Sequence, residues 1–483
     1  MHDVTDERGR HDKLLGFERT ALFDTLLFGL FVVMVPAVFG ASKAIFNDGD
    51  VSWHLAAGRW IIANGRIPDV DPFSFTMGGK PWVAFEWLSE VIYASAFNLA
   101  GYAGVAAVVT LALIALHLIV FLYLRRRAGP FAILLALVAM DLVLGPFMLA
   151  RPHVLVWPLL AGWTAMLLRA RDAGRAPPLW MALAMAVWSN LHGSFPIGLV
   201  ICAAIGLDAV IASGWNRDTF RKWLIFGMLS AAAALLNANG LSGILHPLTV
   251  AGLSTLTLIQ EWLPSTPSAT PWFFAVFLAA LGAILLKGVR LRPGEIVLLL
   301  PMLALAFYQV RHQSWLVIVA ALILTPRLAN AGHAQTSPRP TRAQLAGAAA
   351  VIAALILARL ALPTAPADNG SNPRHLLAAV PPELRNRPVL NGYSFGGPLI
   401  LAGIKPYIDG RSDMYGDAFF SDYEQITNGD MPRFRRAVDR YDIRWTMLPH
   451  GHKRLVNALD QSPDWRRLHA DKVGVIHVRK PAG

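Results

Sequence analysis

Charge is what this sequence lacks. Of its 483 residues only 15% are Asp, Glu, Lys or Arg, while 55% are hydrophobic and the mean hydropathy is +0.46. A soluble chain carries about 25% charge, so a wetted surface around the whole molecule is excluded. Cysteine is nearly absent. Cys202 stands alone inside an apolar run, which rules out an internal disulfide framework and a cysteine metal centre. Acidic residues are also short, 31 against 43 Lys and Arg, for a net charge of +12. In a soluble protein that balance suggests nucleic acid. Here the basic residues lie in short loops between apolar runs, so bilayer orientation explains them and no nucleic-acid partner is expected. No A-x-A cleavage signature follows the charged stretch Met1 to Thr20, and Ala21 to Gly40 reads as an uncleaved first span.

Long apolar runs and 15 Trp residues are what is there. A span needs roughly 20 mostly apolar residues. About eleven runs qualify: 21–42, 103–124, 130–149, 154–168, 178–191, 194–213, 222–238, 271–287, 294–309, 313–330 and 343–362. The expectation is an all-α polytopic bundle over 1–362, multi-pass in the inner (plasma) membrane, with its N-terminus cytoplasmic. Lys and Arg set this orientation. Alternate loops hold Arg125, Arg126 and Arg127, then Arg169, Arg171 and Arg175, then Arg217, Arg221 and Lys222, and so on, whereas the opposite loops hold only Lys43, Arg59, Arg66, Lys80, Arg151 and Arg311. The cation-rich side is the inner one. Residues 43–102 and the tail then face outward.

The outer loop 43–102 contains two segments that read as helices lying on the membrane surface, Asp50 to Asn64 and Trp87 to Leu99. In the first, Val51, Leu55 and Ile62 share a stripe flanked by Trp53 and Trp60, which read as interface anchors rather than substrate stackers. Between the helices, Pro68 to Pro72 and Gly78-Gly79 are turn chemistry. The tail, 363–483, reads as a small α/β domain. Its strand candidates are Pro388–Leu390, Pro406–Ile408, Trp445–Leu448 and Val473–Val478. Its helix candidates are Phe419–Thr427, Pro432–Tyr441 and Lys453–Gln461.

Polar side chains near a bilayer need a reason. His54, His153, His192, His246 and His312 all fall on the outer side, with only His117 at mid-span. Carboxylates come from the first outer loop, namely Asp48, Asp50, Asp69, Asp71, Glu86 and Glu90, and Glu261 comes from a later one. Arg151 and Arg311 each follow an apolar run directly. An arginine cannot neutralise itself, so it pairs with a carboxylate, meets a phosphate or snorkels to headgroups. Converging on one face, these groups would put an acid/base site beside an anion site. Glu86 reads equally well as a cap for the second helix, whereas Asp69 and Asp71, beside prolines, read as turn-formers rather than catalysts.

Asp48-Gly49-Asp50-Val51-Ser52-Trp53-His54, Gly65-Arg66-Ile67-Pro68, Asp71-Pro72-Phe73-Ser74 and Glu86-Trp87-Leu88 follow the first span. Together with Asn391-Gly392-Tyr393, Gly396-Gly397 and Asp409-Gly410-Arg411-Ser412-Asp413-Met414-Tyr415-Gly416 in the tail, they resemble an uncharacterised bacterial branch of the GT-C superfamily of polytopic glycosyltransferases. That superfamily includes the protein O-mannosyltransferases and the lipid A aminoarabinose transferases. The adjacent Asp-Glu pair of the mannosyltransferases is replaced here by Asp-Gly-Asp. The resemblance implies a polyprenyl-phosphate sugar donor, a glycan, lipid or protein acceptor, inverting attack and a periplasmic tail. It makes Asp50 the general base with Asp48 second. Arg311, His312, Arg151 and His153 become the phosphate clamp, with His54 and Glu86 also in the substrate site. It fixes no cofactor, and a divalent metal between Asp48 and Asp50 is left open. A flippase of lipid-linked glycan, or a noncatalytic assembly subunit, is the alternative.

Overall fold

The structure is a computed structural model that describes residues 26–253, 259–329, 342–362 and 364–481. Residues 21–25 of the first expected span, and the inner cations Arg8, Arg10, Lys13, Arg19 and Arg339, lie outside these. Most of the chain is helical. In order come α1 (Phe28–Ala41), α2 (Asp50–Asn64), α3 (Trp87–Leu124), α4 (Pro130–Leu144), α5 (Pro152–Asp172), α6 (Leu183–Leu191) and α7 (Phe195–Ala212). There follow α8 (Arg217–Ala234), α9 (Gly240–Ala251), α10 (Pro271–Lys287), α11 (Pro293–Tyr308), α12 (Gln313–Leu328) and α13 (Arg342–Ala361). Among the described residues four helical stretches are long and apolar enough to cross a bilayer: Trp87–Leu124, Pro130–Phe147, Pro152–Asp172 and Phe195–Ala212. Five more are apolar but shorter, among them Phe28–Ala41, Leu179–Leu191 and Pro271–Lys287.

The two loop helices depart from the surface-lying expectation. α2 has the expected bounds and ends on Gly65 at φ 63°, whose N–H bonds back to Ile61, a left-handed glycine cap. It does not merely lie on lipid: Val51, Trp53, His54 and Leu55 are all buried, and the helix packs against α3 and a tail helix. Trp87 to Leu99 is the first part of α3, which runs on for 38 residues across a break at Ala100 and Gly101. Gly101 adopts φ 58°, a region that favours glycine. The chain can therefore change direction without a loop. Hydropathy sees only the apolar second part, which is why the two read as separate elements.

The charged end of the bundle opposite α2 is tied together inside. Arg171, at the end of α5, reaches Asp208 of α7 at 3.1 Å and Glu295 of α11 at 2.9 Å. Arg327 of α12 meets the same Glu295 at 2.8 Å.

The tail is α14 (Arg374–Ala378), α15 (Pro382–Arg385), β1 (Val389–Asn391), α16 (Gly396–Leu401), α17 (Ser412–Thr427), α18 (Met431–Tyr441), β2 (Trp445–Pro449), α19 (Lys453–Gln461), β3 (Trp465–Ala470) and β4 (Gly474–Arg479). The sheet order is β1-β2-β4-β3, with β1 parallel to β2 and the other pairs antiparallel. Pro406 forms only an isolated bridge to Val389 rather than a strand. β3 escapes a hydropathy reading because it is an edge strand that exposes Arg466 and Arg467.

Glycines let the tail sit directly on the first loop. A Cβ on Gly397 would fall 2.1 Å from the Gly49 carbonyl oxygen, and one on Gly49 would fall 2.4 Å from that of Ser394. Two motif glycines thus face one another across the seam. Arg411 closes it. Its side chain has no exposure, and it donates to Asp71 at 2.7 Å and twice to Asp409 at 2.8 Å. Asp71 is indeed a turn-former, accepting from the N–H groups of Phe73 and Ser74, but it is also the far partner of this arginine.

Candidate functional site

A cavity of about 1320 Å³ opens between the first loop, the ends of α3, α5 and α12, the 259–270 loop and the tail. All eight residues singled out from the sequence line it: Asp48, Asp50, His54, Glu86, Arg151, His153, Arg311 and His312. One part of the wall is apolar, including Leu142, Val143, Ile197 and Val250.

The centre is Arg151. It precedes Pro152, the first residue of α5, and has extended backbone, φ −120° and ψ 159°. Proline at the first helical position is preorganised for the helix, and the residue before it is driven out of the helical region. The side chain therefore leaves the helix end toward the loops. There its guanidinium meets Asp48 at 3.1 Å, Asp50 at 3.1 Å and Glu261 at 2.9 Å. Asp50 starts α2, and its own N–H is held by Asp48 at 2.8 Å. Asp-Gly-Asp is thus a local turn that aims both carboxylates the same way.

One cation serves three carboxylates, and the electrostatics divide accordingly. Burial pushes the Glu261 carboxyl up, but Arg151 and Arg311 outweigh it and bring it down to about 2. Asp50 goes the other way. Burial and the neighbouring Asp48 charge outweigh Arg151 and raise it to about 7. A carboxyl that titrates near neutrality, beside a fixed cation, suits general base work.

Arg311 meets Glu261 at 3.6 Å and lies over the Trp262 ring at 4.1 Å. It is less committed to carboxylates than Arg151. His312 approaches the Gln309 side-chain oxygen at 2.8 Å, and His153 turns back to the Phe147 carbonyl at 2.8 Å. Both line the cavity, with one ring nitrogen already engaged.

Glu86 is the N-cap residue of α3 but makes no side-chain cap bond. Its carboxylate turns instead to His54 at 3.8 Å and His192 at 3.4 Å. Burial, opposed by Arg151 and Arg311, raises it to about 8. His54 also meets the buried Glu90 at 3.3 Å, and burial holds its ring well below the usual histidine range. Burial thus favours the neutral forms of the Glu86 carboxyl and of the His54 and His192 rings next to the Asp50 centre. From the tail, Gly410 presses on Asp50, where a Cβ would fall 1.8 Å from a carboxylate oxygen. Asp413 reaches His246 at 3.3 Å.

Among the described residues no group of three or more His, Cys, Asp or Glu could hold a metal ion. Asp48, Asp50 and Glu261 do converge, but on a guanidinium that a divalent cation would have to displace. The residues present do not fit a metal between Asp48 and Asp50. Sequence reasoning noted Glu261 only as one more outer carboxylate, and it did not foresee the contact of Gly410 with Asp50. Pairings across 110 residues and 360 residues leave no local signal.

The fold that carries this cavity recurs among solved structures. No protein-family profile and no curated protein matches the chain. Solved structures do. The archaeal oligosaccharyltransferase AglB from Archaeoglobus fulgidus, in complex with an inhibitory peptide and a dolichol-phosphate, matches with a TM-score of 0.53 and 12% identity over 89% of this chain and 70% of that one. The apo form of the Archaeoglobus fulgidus oligosaccharyltransferase matches with a TM-score of 0.52 and 13% identity over 88% and 70%. At such identity the likeness is one of fold.

Proposed function

We propose that this protein transfers a sugar from a polyprenyl-phosphate donor to an acceptor hydroxyl at the outer face of the plasma membrane. The observation that carries the reading is the meeting of Asp48, Asp50, Arg151, Glu261 and Arg311 at one cavity that is polar at this end and apolar along another wall. An archaeal enzyme of like fold has been seen with a dolichol-phosphate and a peptide, which supports a lipid-linked donor and a separate acceptor. In this reading the five shorter apolar helices, together with α8 and α12, complete about eleven spans over 1–362. The N-terminus is cytoplasmic, and 363–483 forms the periplasmic domain that roofs the cavity.

The acceptor oxygen attacks the anomeric carbon on the side opposite the phosphate, and the configuration inverts. The carbon–oxygen bond to the phosphate breaks and its electron pair stays on the lipid phosphate. The acceptor proton passes to Asp50. General base help of this kind is typically worth about 10²–10⁴-fold. Arg151 holds Asp50 and Asp48 in place. Arg311, stacked on Trp262, faces the growing phosphate charge and stabilises it.

The test is transfer from radiolabelled polyprenyl-phosphate sugars by the purified protein in liposomes. Asp50→Asn should lower turnover by about 10²–10⁴-fold and Asp48→Asn by less. Turnover indifferent to both ends the proposal. Movement of donor across the bilayer with no new glycosidic bond means a flippase.

A further inference from the structure

A second concave site lies at the other end of the bundle. Arg151 opens α5 and Arg169 stands in its last turn. Eighteen helical residues separate them by about 27 Å, close to the thickness of a bilayer's hydrocarbon core. There Arg126, Arg127 and Arg169, with Asp172 and Ala173, line a depression of about 490 Å³. Two of the three cations are fixed by one aromatic ring. Arg127 lies 4.0 Å and Arg169 5.7 Å from the centre of Tyr123, and Arg127 also donates to the Tyr123 carbonyl at 3.2 Å. Tyr123 itself is buried, so the platform is rigid.

Among the described residues no carboxylate forms an ion pair with Arg126, Arg127 or Arg169. Asp172, at the edge, is already shared by Arg171 at 3.0 Å and Arg292 at 3.6 Å. The carboxyl ends of α3 and α5 contribute about half a negative charge each, which leaves roughly two of the three positive charges uncompensated. Like charges gathered in a hollow repel unless an anion sits among them. Planar guanidiniums match phosphate oxygens in bidentate fashion.

We propose that this hollow binds the phosphate of an anionic lipid headgroup in the leaflet opposite the catalytic cavity. Depth favours a lipid over a soluble anion: the site is one bilayer thickness from Arg151, flanked by apolar helices. A juxtamembrane cation near an anionic surface strengthens attraction several-fold. The lipid would hold the loop joining α3 to α4 against the end of α5.

The test uses the full-length protein in nanodiscs of equal phosphatidylglycerol and phosphatidylcholine, with co-purified lipid counted after delipidation in detergent. Wild type should retain phosphatidylglycerol about tenfold over phosphatidylcholine, and the preference should weaken with salt. Arg126→Gln/Arg127→Gln/Arg169→Gln should abolish it. Arg169→Gln alone, which leaves the Arg127–Tyr123 stack intact, should reduce it about fivefold, and Arg169→Lys, which keeps the charge but not the bidentate fork, should restore it only in part. Equal retention by wild type and either glutamine variant overturns the assignment. So does displacement of the lipid by millimolar inorganic phosphate, which would make this a soluble-anion site. Donor and acceptor are absent from the assay, so its outcome is independent of the transfer reaction.

Discussion

Replacing Arg411 with Met should loosen the tail from the first loop at a cost of about 4 kcal/mol. Three short charge-assisted hydrogen bonds disappear, one to Asp71 at 2.7 Å and two to Asp409 at 2.8 Å. At about 1.5–3 kcal/mol for each bond to a charged group the sum would reach roughly 5–9 kcal/mol. Breaking a buried ion pair by removing one partner costs about 3–5 kcal/mol in practice. The lower figure applies because both carboxylates keep other donors. Asp71 retains the Phe73 and Ser74 N–H groups, and Asp409 retains the Tyr415 hydroxyl at 2.7 Å. The assay is a urea titration of the detergent-solubilised protein, followed by protease cleavage within the tail. The midpoint should fall in Arg411→Met and recover partly in Asp71→Asn/Arg411→Met, where one stranded charge is gone. A loss below about 1 kcal/mol, or no recovery in the double variant, would refute the view that this arginine joins the tail to the loop. Because Gly410 precedes Arg411 and touches Asp50, transfer should fall along with stability.

The remaining predictions concern the cavity. In the proposed reaction Asp50 serves as base only when ionised, so transfer should rise as pH climbs through about 7. In a pH–rate profile Asp48→Asn should move that limb to lower pH by removing a like charge, and Arg151→Gln should move it to higher pH. Glu261 is depressed to about 2 from 4.5, so it contributes stability above pH 4.5 that is lost as pH falls toward 2. About 3 kcal/mol is at stake, and acid unfolding of Glu261→Gln should lack that part. Asp50, raised from 3.8, has the opposite sign and favours the fold most at low pH. Gly410→Ala should displace the Asp50 carboxylate and lower transfer by about 10²-fold, with no further loss when added to Asp50→Asn.

The sequence by itself determined the helical bundle, the bounds of α2 and three of the six tail helices. It also brought out the suspicion attached to outer histidines, carboxylates and two arginines. Each of these is a local property. A bilayer demands long apolar runs, α2 has proline, glycine and aspartate at its borders, and an ionisable group beside lipid stands out wherever it occurs. Tertiary structure decided what those groups do to one another. Arg151 was expected to grip phosphate, yet it is held by Asp48, Asp50 and Glu261. Glu86 was equally readable as a helix cap, yet it turns to two imidazoles. Asp71 bonds its own turn and also Arg411, 340 residues away. A side chain's charge and shape are written at its own position. Its partner is chosen only when distant helices close around a common cavity, where burial makes an unpaired charge too costly to leave.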